Sequence, residues 1–127
     1  MLLRLDFASD APIYRQIRDQ LVLGIAGGSL RAGEKLPPIR TLAFETGVNM
    51  MTINKAYQLL KSEGYITADR RGGTVVAQRG ECSCAETEKE KLLEELRLHA
   101  ASAKLSGVER ETWLALSAKA YDELQEV

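Results

Sequence analysis

The side chains best suited to chemistry lie in one stretch of the sequence, GVNMMTINKAYQLL at residues 47–60. If this stretch forms a helix that buries Ile53 and Ala56, its polar side chains are left on the outward side. Amide, hydroxyl and ammonium groups of this kind hydrogen-bond to phosphates and to base edges. The stretch therefore predicts a helix that contacts DNA, and the polar side chains on its outward side are Asn49, Thr52, Asn54 and Lys55.

Two methionines, Met50 and Met51, stand at the start of this helix, where a DNA-reading helix often carries arginine. Methionine cannot make the bidentate bond of arginine to guanine, which is worth about 1–3 kcal/mol of discrimination, but it can pack against a thymine methyl. Exposed methionine also suits adaptable apolar contacts between proteins. A protein–protein interaction module that no longer reads DNA is therefore an alternative interpretation.

Further cations lie on either side of the helix, Arg40 before it and Arg70 and Arg71 after it. All three can neutralise phosphates. Asn49 and Thr52 can also bond to phosphates, through their side chains or through the helix N-terminus.

The charge of the chain is unevenly distributed, although its net value is only −1. Residues 1–80 contain 11 Lys and Arg against 7 Asp and Glu, while residues 81–127 contain 6 against 11. A basic front half joined to an acidic rear half indicates that only the front half meets an anionic partner. Chance is an equally simple explanation of this difference.

The elements that would position these residues follow from the spacing of apolar side chains. An apolar stripe from Ile13 to Ile25 recurs every four residues, which predicts a helix that begins near Pro12 and stops at glycines 27–28. The segment IRTLAFE predicts a short second helix, and Gly47 suits the tight turn after it. The β-prone runs YITA and TVVA, with DRRGG between them, predict a hairpin. This order of elements is that of a winged helix-turn-helix.

Residues 11–77 resemble the DNA-binding domain of the GntR family of bacterial transcription regulators. The matching segments are PIYRQIRDQLVLGI, GSLRAGEKLPPIRTLA, GVNMMTINKAYQLLKSEGYI and RRGGTVV. The helical tail resembles that of the YtrA subfamily, which carries a small two-helix dimerisation module instead of a large ligand-binding domain. The resemblance implies a mainly α fold with a small β-hairpin. It places a winged helix-turn-helix domain at residues 1–80, and a linker and dimerisation tail at residues 81–127.

The resemblance also implies roles for single positions. Arg40 matches the arginine of the family's P-x-x-R pattern, and Gly73 and Thr74 match the tip of the wing. The family often has G-x-G-T at the wing, whereas Arg71 stands here in place of the first glycine, which adds a charge and leaves the form of the turn open. The residues predicted to contact DNA are Arg40, Asn49, Met50, Met51, Thr52, Asn54, Lys55, Arg70, Arg71, Gly73 and Thr74.

The tail is predicted to form two amphipathic helices, and the capping-box spacing of Ser106 and Glu109 predicts a start of the second helix at Ser106. Two such helices bury little surface by themselves, so pairing with a second copy would complete them. The alternatives are a tail that packs only on its own domain and, for Trp113 and Tyr121, a ligand pocket. The predicted dimer interface consists of Leu92, Leu96, Ala100, Trp113, Leu116, Tyr121 and Leu124.

Cys82 and Cys84 lie in the expected linker, where thiolates could bind a soft metal or respond to oxidation. A metal site usually needs more ligands, and His99 is the only histidine, although a dimer would double the thiols. Two inert linker cysteines are the simpler interpretation, and a metal- or redox-responsive regulator remains an alternative.

Other function classes find no support in the sequence. It has no phosphate-binding glycine loop, no metalloprotease motif and no nucleophile pattern, so we expect neither an enzyme nor a cofactor. No apolar run approaches the roughly 20 residues that span a membrane, and no signal peptide is recognisable, so we expect the cytoplasm. We expect a homodimeric repressor on a palindromic operator, and the resemblance implies a nearby transporter operon as target. An effector is left open.

Overall fold

A computed structural model describes residues 3–78 and 86–124, and each of these two ranges forms one compact unit. The first unit contains, in chain order, α1 (Ile13–Ala26), α2 (Ile39–Thr46), α3 (Met50–Ser62), β1 (Ile66–Ala68) and β2 (Thr74–Val76). The second unit contains α4 (Glu86–Leu105) and α5 (Arg110–Asp122). The fold is mainly helical with one small antiparallel hairpin, as predicted.

Helix α1 begins after Pro12, whose missing N–H is not needed at a helix start, and it ends before Gly27. Ile17 and Leu21 are 0% and 1% exposed and form the centre of its apolar stripe. This stripe packs into the core of the first unit, together with the buried face of α3. The predicted helix and its stripe are confirmed.

The turn between α2 and α3 depends on two residues with distinct tasks. Gly47 has φ +73°, a left-handed conformation that costs other residues roughly 1–2 kcal/mol. Asn49 caps α3, because its Oδ1 accepts a hydrogen bond from the Met51 backbone N–H at 2.7 Å. The helix can then bury one face, whose members are Ile53, Ala56, Tyr57 and Leu60.

The hairpin of β1 and β2 sits on this core, with buried Ile66 opposite buried Val76. The stretch at residues 33–36 also pairs with β2, and Lys35 lies opposite Val75. The sequence did not predict a strand-like stretch here. A stretch this short shows no alternation of apolar and polar residues, so its pairing with β2 has no signal in the sequence.

In the second unit, no side chain of α4 or α5 is buried. Helix α5 begins at Arg110, with Glu109 as its N-cap residue and no side-chain cap, so the predicted start at Ser106 is wrong. Ser106 N–H still donates to Ser102 O at 3.0 Å, and the chain turns only at Gly107, with φ +86°. Within the described residues, no helix is long and apolar enough to cross a membrane.

Candidate nucleic-acid interface

The first two turns of α3 present the side chains that the sequence singled out. Met50 and Met51 are 49% and 78% exposed. Asn54 and Lys55 are exposed as well, and Thr52 is half-buried. This end of the helix therefore offers an amide, a hydroxyl, an ammonium and two thioethers to a partner.

The α3 N-terminus adds backbone donors to this surface. Asn49 uses its Oδ1 for the cap, and its amide nitrogen is left with two donor hydrogens. A helix N-terminus also carries a partial positive charge, which attracts phosphate. Asn49 can therefore fix the helix start and donate to a phosphate at the same time.

Lys55 has a partner that sequence reasoning missed. Its Nζ lies 4.1 Å from the centroid of the Tyr14 ring, at the start of α1, within the range of a cation–π contact. The two residues are far apart in the sequence, so no local spacing indicates the pair. The contact holds the lysine against α1 while its side chain stays exposed.

Arg40 is exposed in the first turn of α2, and the approach to this helix is anchored on α3. Tyr57, which is 1% exposed, donates its hydroxyl to Pro37 O at 2.7 Å. Burial raises the pKa of this hydroxyl to about 12, so it remains a donor at any physiological pH. This bond fixes where α2 begins and thereby positions Arg40.

The wing tip is the turn from Asp69 to Gly73, between β1 and β2. Arg70 and Arg71 are exposed there, and Gly72 and Gly73 have φ of +101° and +85°. The turn uses Gly72 and Gly73, two successive residues with positive φ, which explains why arginine can stand at the position of the family's first glycine.

The other predicted wing residue, Thr74, is the first residue of β2 and pairs with Ala68. It is half-buried and lies next to the turn. Lys35, which was not predicted, reaches the turn from outside the hairpin and donates to Gly72 O at 3.1 Å.

Arg18, in the first unit, forms ion pairs with two carboxylates of the same unit. Its guanidinium donates to both carboxylate oxygens of Glu63 at 2.9 Å and to Asp19 at 2.8 Å. The hydrogen bonds to Glu63 raise the pKa of Arg18 further above its ordinary value. This arrangement ties α1 to the end of α3, which fixes the orientation of α3.

The predicted dimer residues share an exposed or half-buried position within the second unit. Leu92, Leu96, Leu116 and Tyr121 are 57%, 49%, 48% and 70% exposed. Five of the seven predicted residues line one cleft of about 400 Å³: Leu96, Trp113, Leu116, Tyr121 and Leu124. Ala100 lines a second cleft with Trp113, and Leu92 lines neither of these two clefts.

The possible thiol site cannot be described in the same way, because Cys82 and Cys84 lie outside the described residues. Within residues 3–78 and 86–124, there is no group of three or more His, Cys, Asp or Glu side chains that could hold a metal ion.

The chain is similar in sequence to known bacterial transcription regulators. Residues 13–76 match the family of bacterial regulatory proteins called the gntR family. The HTH-type transcriptional repressor YtrA of Bacillus subtilis is 33% identical over 110 residues, which are 87% of this chain and 85% of the repressor.

Two solved structures are similar as well. A transcriptional antiterminator from Listeria monocytogenes EGD-e is 25% identical with a TM-score of 0.89, over 100% of this chain and 95% of that one. The DNA-binding domain of AraR, in complex with operator ORX1, is 29% identical with a TM-score of 0.53, over 61% of this chain and 99% of that one. The family, the YtrA-like relationship and the winged-helix fold inferred from the sequence are thereby confirmed. The chain belongs to the GntR family and is a transcription regulator, not an enzyme, with a winged helix-turn-helix DNA-binding domain.

Proposed function

We propose that this protein is a homodimeric repressor that binds a palindromic operator through α3 and the wing. The observation that carries the proposal is the exposed polar surface at the N-terminal end of α3, which stands on a fully buried opposite face. On the resemblance, the genes under its control would be a nearby transporter operon that includes its own gene. Such a regulator acts in the cytoplasm.

The proposed docking mode assigns the predicted residues to two tasks. Thr52 and Asn54 contact base edges, and Met50 and Met51 pack against thymine methyls. The cations Arg40, Lys55, Arg70 and Arg71 contact phosphates. The similarity to an AraR domain that was solved with its operator supports this mode, because it covers 61% of this chain and 99% of that domain.

The proposed dimer joins the α4–α5 units of two chains. Its support is the absence of any buried side chain in these helices, which leaves leucines and aromatic rings accessible within the unit. A two-fold dimer presents its two recognition helices about one DNA turn, roughly 34 Å, apart, which matches a palindromic site.

A selection from random DNA duplexes tests the proposal. The protein is incubated with a pool of duplexes, bound DNA is amplified over several rounds, and the enriched sequences are compared with the DNA upstream of its own gene. We expect an enriched inverted repeat that the protein retards in gel shifts and that occurs in that upstream DNA. Enrichment of no sequence at low salt would overturn the proposal.

A second candidate function is a winged-helix module that binds proteins. It is favoured by the exposure of large apolar side chains on α3 and α2, 78% for Met51 and 88% for Phe44. Exposed methionine accommodates varied apolar partners.

The two functions separate under a pair of substitutions. Met51→Ser and Phe44→Ser would weaken a protein complex strongly but leave the phosphate contacts of DNA binding in place. If the selected duplex binds the double variant within about tenfold of the wild type, the repressor proposal holds. If the protein selects no duplex at all, the protein-binding module becomes the better account.

A further inference from the structure

The strand-like stretch at residues 33–36 places a lysine beside the wing. This stretch pairs with β2, and Lys35 lies opposite Val75. Successive side chains of an extended chain point to opposite faces. Because Leu36 is 5% exposed and belongs to the core, Lys35 projects from the outer face of the sheet.

The Lys35 ammonium reaches the turn of the wing. Its Nζ donates to Gly72 O at 3.1 Å and lies 3.8 Å from Asp69 Oδ2. At Gly73, an added Cβ would stand 3.7 Å from the same Nζ. The ammonium is therefore in contact with both ends of the turn.

The turn needs such support because of its own composition. Its two glycines lose more conformational freedom on ordering than other residues do. Two backbone hydrogen bonds close the turn, from Gly72 N to Asp69 O at 3.0 Å and from Asp69 N to Gly73 O at 2.9 Å. Both lie within the hairpin, so they shape the turn but do not connect it to the stretch before α2. The bond from Lys35 makes that connection.

We propose that Lys35 is a positioning residue of the wing: it fixes the turn so that Arg70 and Arg71 are held ready for the DNA backbone. Its own ammonium is directed to the turn carbonyl and the Asp69 carboxylate and does not bind phosphate. This inference deepens the proposed function and rests on the wing contacting DNA.

Variants with matched charge changes test the role of Lys35. Lys35→Met keeps the aliphatic stem and removes the donor, whereas Lys35→Arg keeps a cationic donor. Lys61→Met, at an exposed lysine in the last turn of α3, removes the same charge elsewhere in the unit. Each variant is made in the wild-type background and in an R70A/R71A background, and urea unfolding checks that the fold is retained.

On the selected duplex we expect Lys35→Met to weaken binding about three- to tenfold. Without the Lys35 bond, the turn would become ordered only when it binds DNA, and this loss of conformational entropy would reduce the affinity. Lys35→Arg should recover most of this loss, and Lys61→Met should lose less than twofold. In the R70A/R71A background, the Lys35→Met effect should disappear, because the side chains that it positions are gone.

Two results would overturn the inference. An equal loss in both backgrounds, with the salt slope of log Kobs shallower by about 0.9 for each phosphate that is no longer neutralised, would mean that Lys35 itself binds phosphate. No loss in the wild-type background would mean that the wing does not depend on it.

A measurement without DNA keeps this inference separate from the proposed function. In the free protein, Lys35→Met should lower the backbone heteronuclear NOE of Gly72 and Gly73, and Lys35→Arg should leave it near the wild-type value. Unchanged values in both variants would show that Lys35 does not hold the turn, whether or not a duplex is selected.

Discussion

Single side chains at the start of α3 decide what the proposed interface can distinguish. Met50 and Met51 are exposed, and in the proposed docking mode they would favour thymine through its methyl group. Thr52 and Asn54 would then supply the hydrogen bonds from this helix to the bases. An operator read in this way should depend on apolar contacts at some positions and on hydrogen bonds at others.

Met50→Arg should shift base preference rather than abolish binding. Arginine at this position gains a bidentate bond to guanine, worth about 1–3 kcal/mol of discrimination. The measurement is a new duplex selection with the variant, followed by titrations of both proteins against both enriched sequences. We expect a guanine at one position of each half-site; an unchanged enriched sequence would contradict the assigned reading.

Tyr14 should contribute to DNA binding through Lys55 alone. Tyr14→Phe keeps an aromatic face for the ammonium, whereas Tyr14→Leu removes it, and a cation–π contact at an exposed site is worth about 0.5–1 kcal/mol. We expect Tyr14→Leu to weaken duplex binding two- to fivefold and Tyr14→Phe to leave it nearly unchanged. In a Lys55→Ala background, Tyr14→Leu should cause no further loss of DNA binding. Losses of affinity that add up in the double variant would refute the coupling.

At the scale of elements, the positions of α2 and α3 are fixed by bonds between distant segments. Tyr57 on α3 bonds to Pro37 before α2, and Arg18 on α1 bonds to Glu63 after α3. These contacts make a frame in which the recognition helix and Arg40 keep a constant spacing. A substitution in the frame should therefore change stability first.

Tyr57→Phe should lower the free energy of unfolding by about 1–2 kcal/mol at pH 8, because the Pro37 carbonyl loses the donor that the buried Tyr57 supplies. Burial raises the pKa of the Tyr57 hydroxyl to about 12 from 10.0. The stability that this group contributes is therefore complete below pH 10 and is lost as the pH rises to 12.

Urea unfolding at several pH values checks this prediction. The difference between wild type and Tyr57→Phe should shrink between pH 10 and 12. Tyr14→Phe, which keeps the aromatic ring that contacts Lys55, serves as the control. A constant Tyr57→Phe deficit over the whole range would contradict the buried donor.

The sequence was sufficient for the elements whose signals are local. The apolar period from Ile13 to Ile25 indicated α1, and Gly47 indicated the turn before α3. The start of α5 was misplaced at Ser106, because a capping-box pattern competes with the continuing hydrogen bonds at the end of α4. Local spacing cannot decide that competition.

The site was predictable only in part, for the same reason. The exposed side of α3 follows from which of its residues are buried. The contacts of Lys55 with Tyr14 and of Lys35 with Gly72 join segments that are far apart in the sequence, and they exist only once the fold brings these segments together. A single sequence carries no pattern for such pairs.

At the scale of the whole molecule, the acidic tail and the basic front half are proposed to have separate tasks. The second unit buries none of its helical side chains, although it carries leucines and aromatic rings. Packing of this apolar surface against the same surface of a second copy would bury these leucines and aromatic rings. Dimerisation would then double the DNA-binding surface and set the spacing of the half-sites.

Leu116→Glu should weaken this dimer, since it would place a charge in the apolar cleft that Leu116 lines. Leu114→Glu is the matched control, because Leu114 is similarly exposed, at 46% against 48%, and does not line that cleft. Sedimentation equilibrium should give twice the chain mass of 14.0 kDa for the wild type and for Leu114→Glu, and a concentration-dependent loss of the dimer for Leu116→Glu. A monomeric wild type, or equal effects of both substitutions, would contradict the proposed interface.

The salt dependence of operator binding tests the central claim most directly. Affinity for the selected duplex is measured from 50 to 200 mM salt for the wild type and for the R40A/K55A variant. With several phosphates neutralised per half-site, the wild type should lose about 10³–10⁵ in affinity over this range. The variant should bind more weakly at every salt concentration, with a slope shallower by about 0.9 for each phosphate that it leaves unneutralised. Equal affinity and equal slope in the two proteins would show that α2 and α3 do not dock on DNA as proposed.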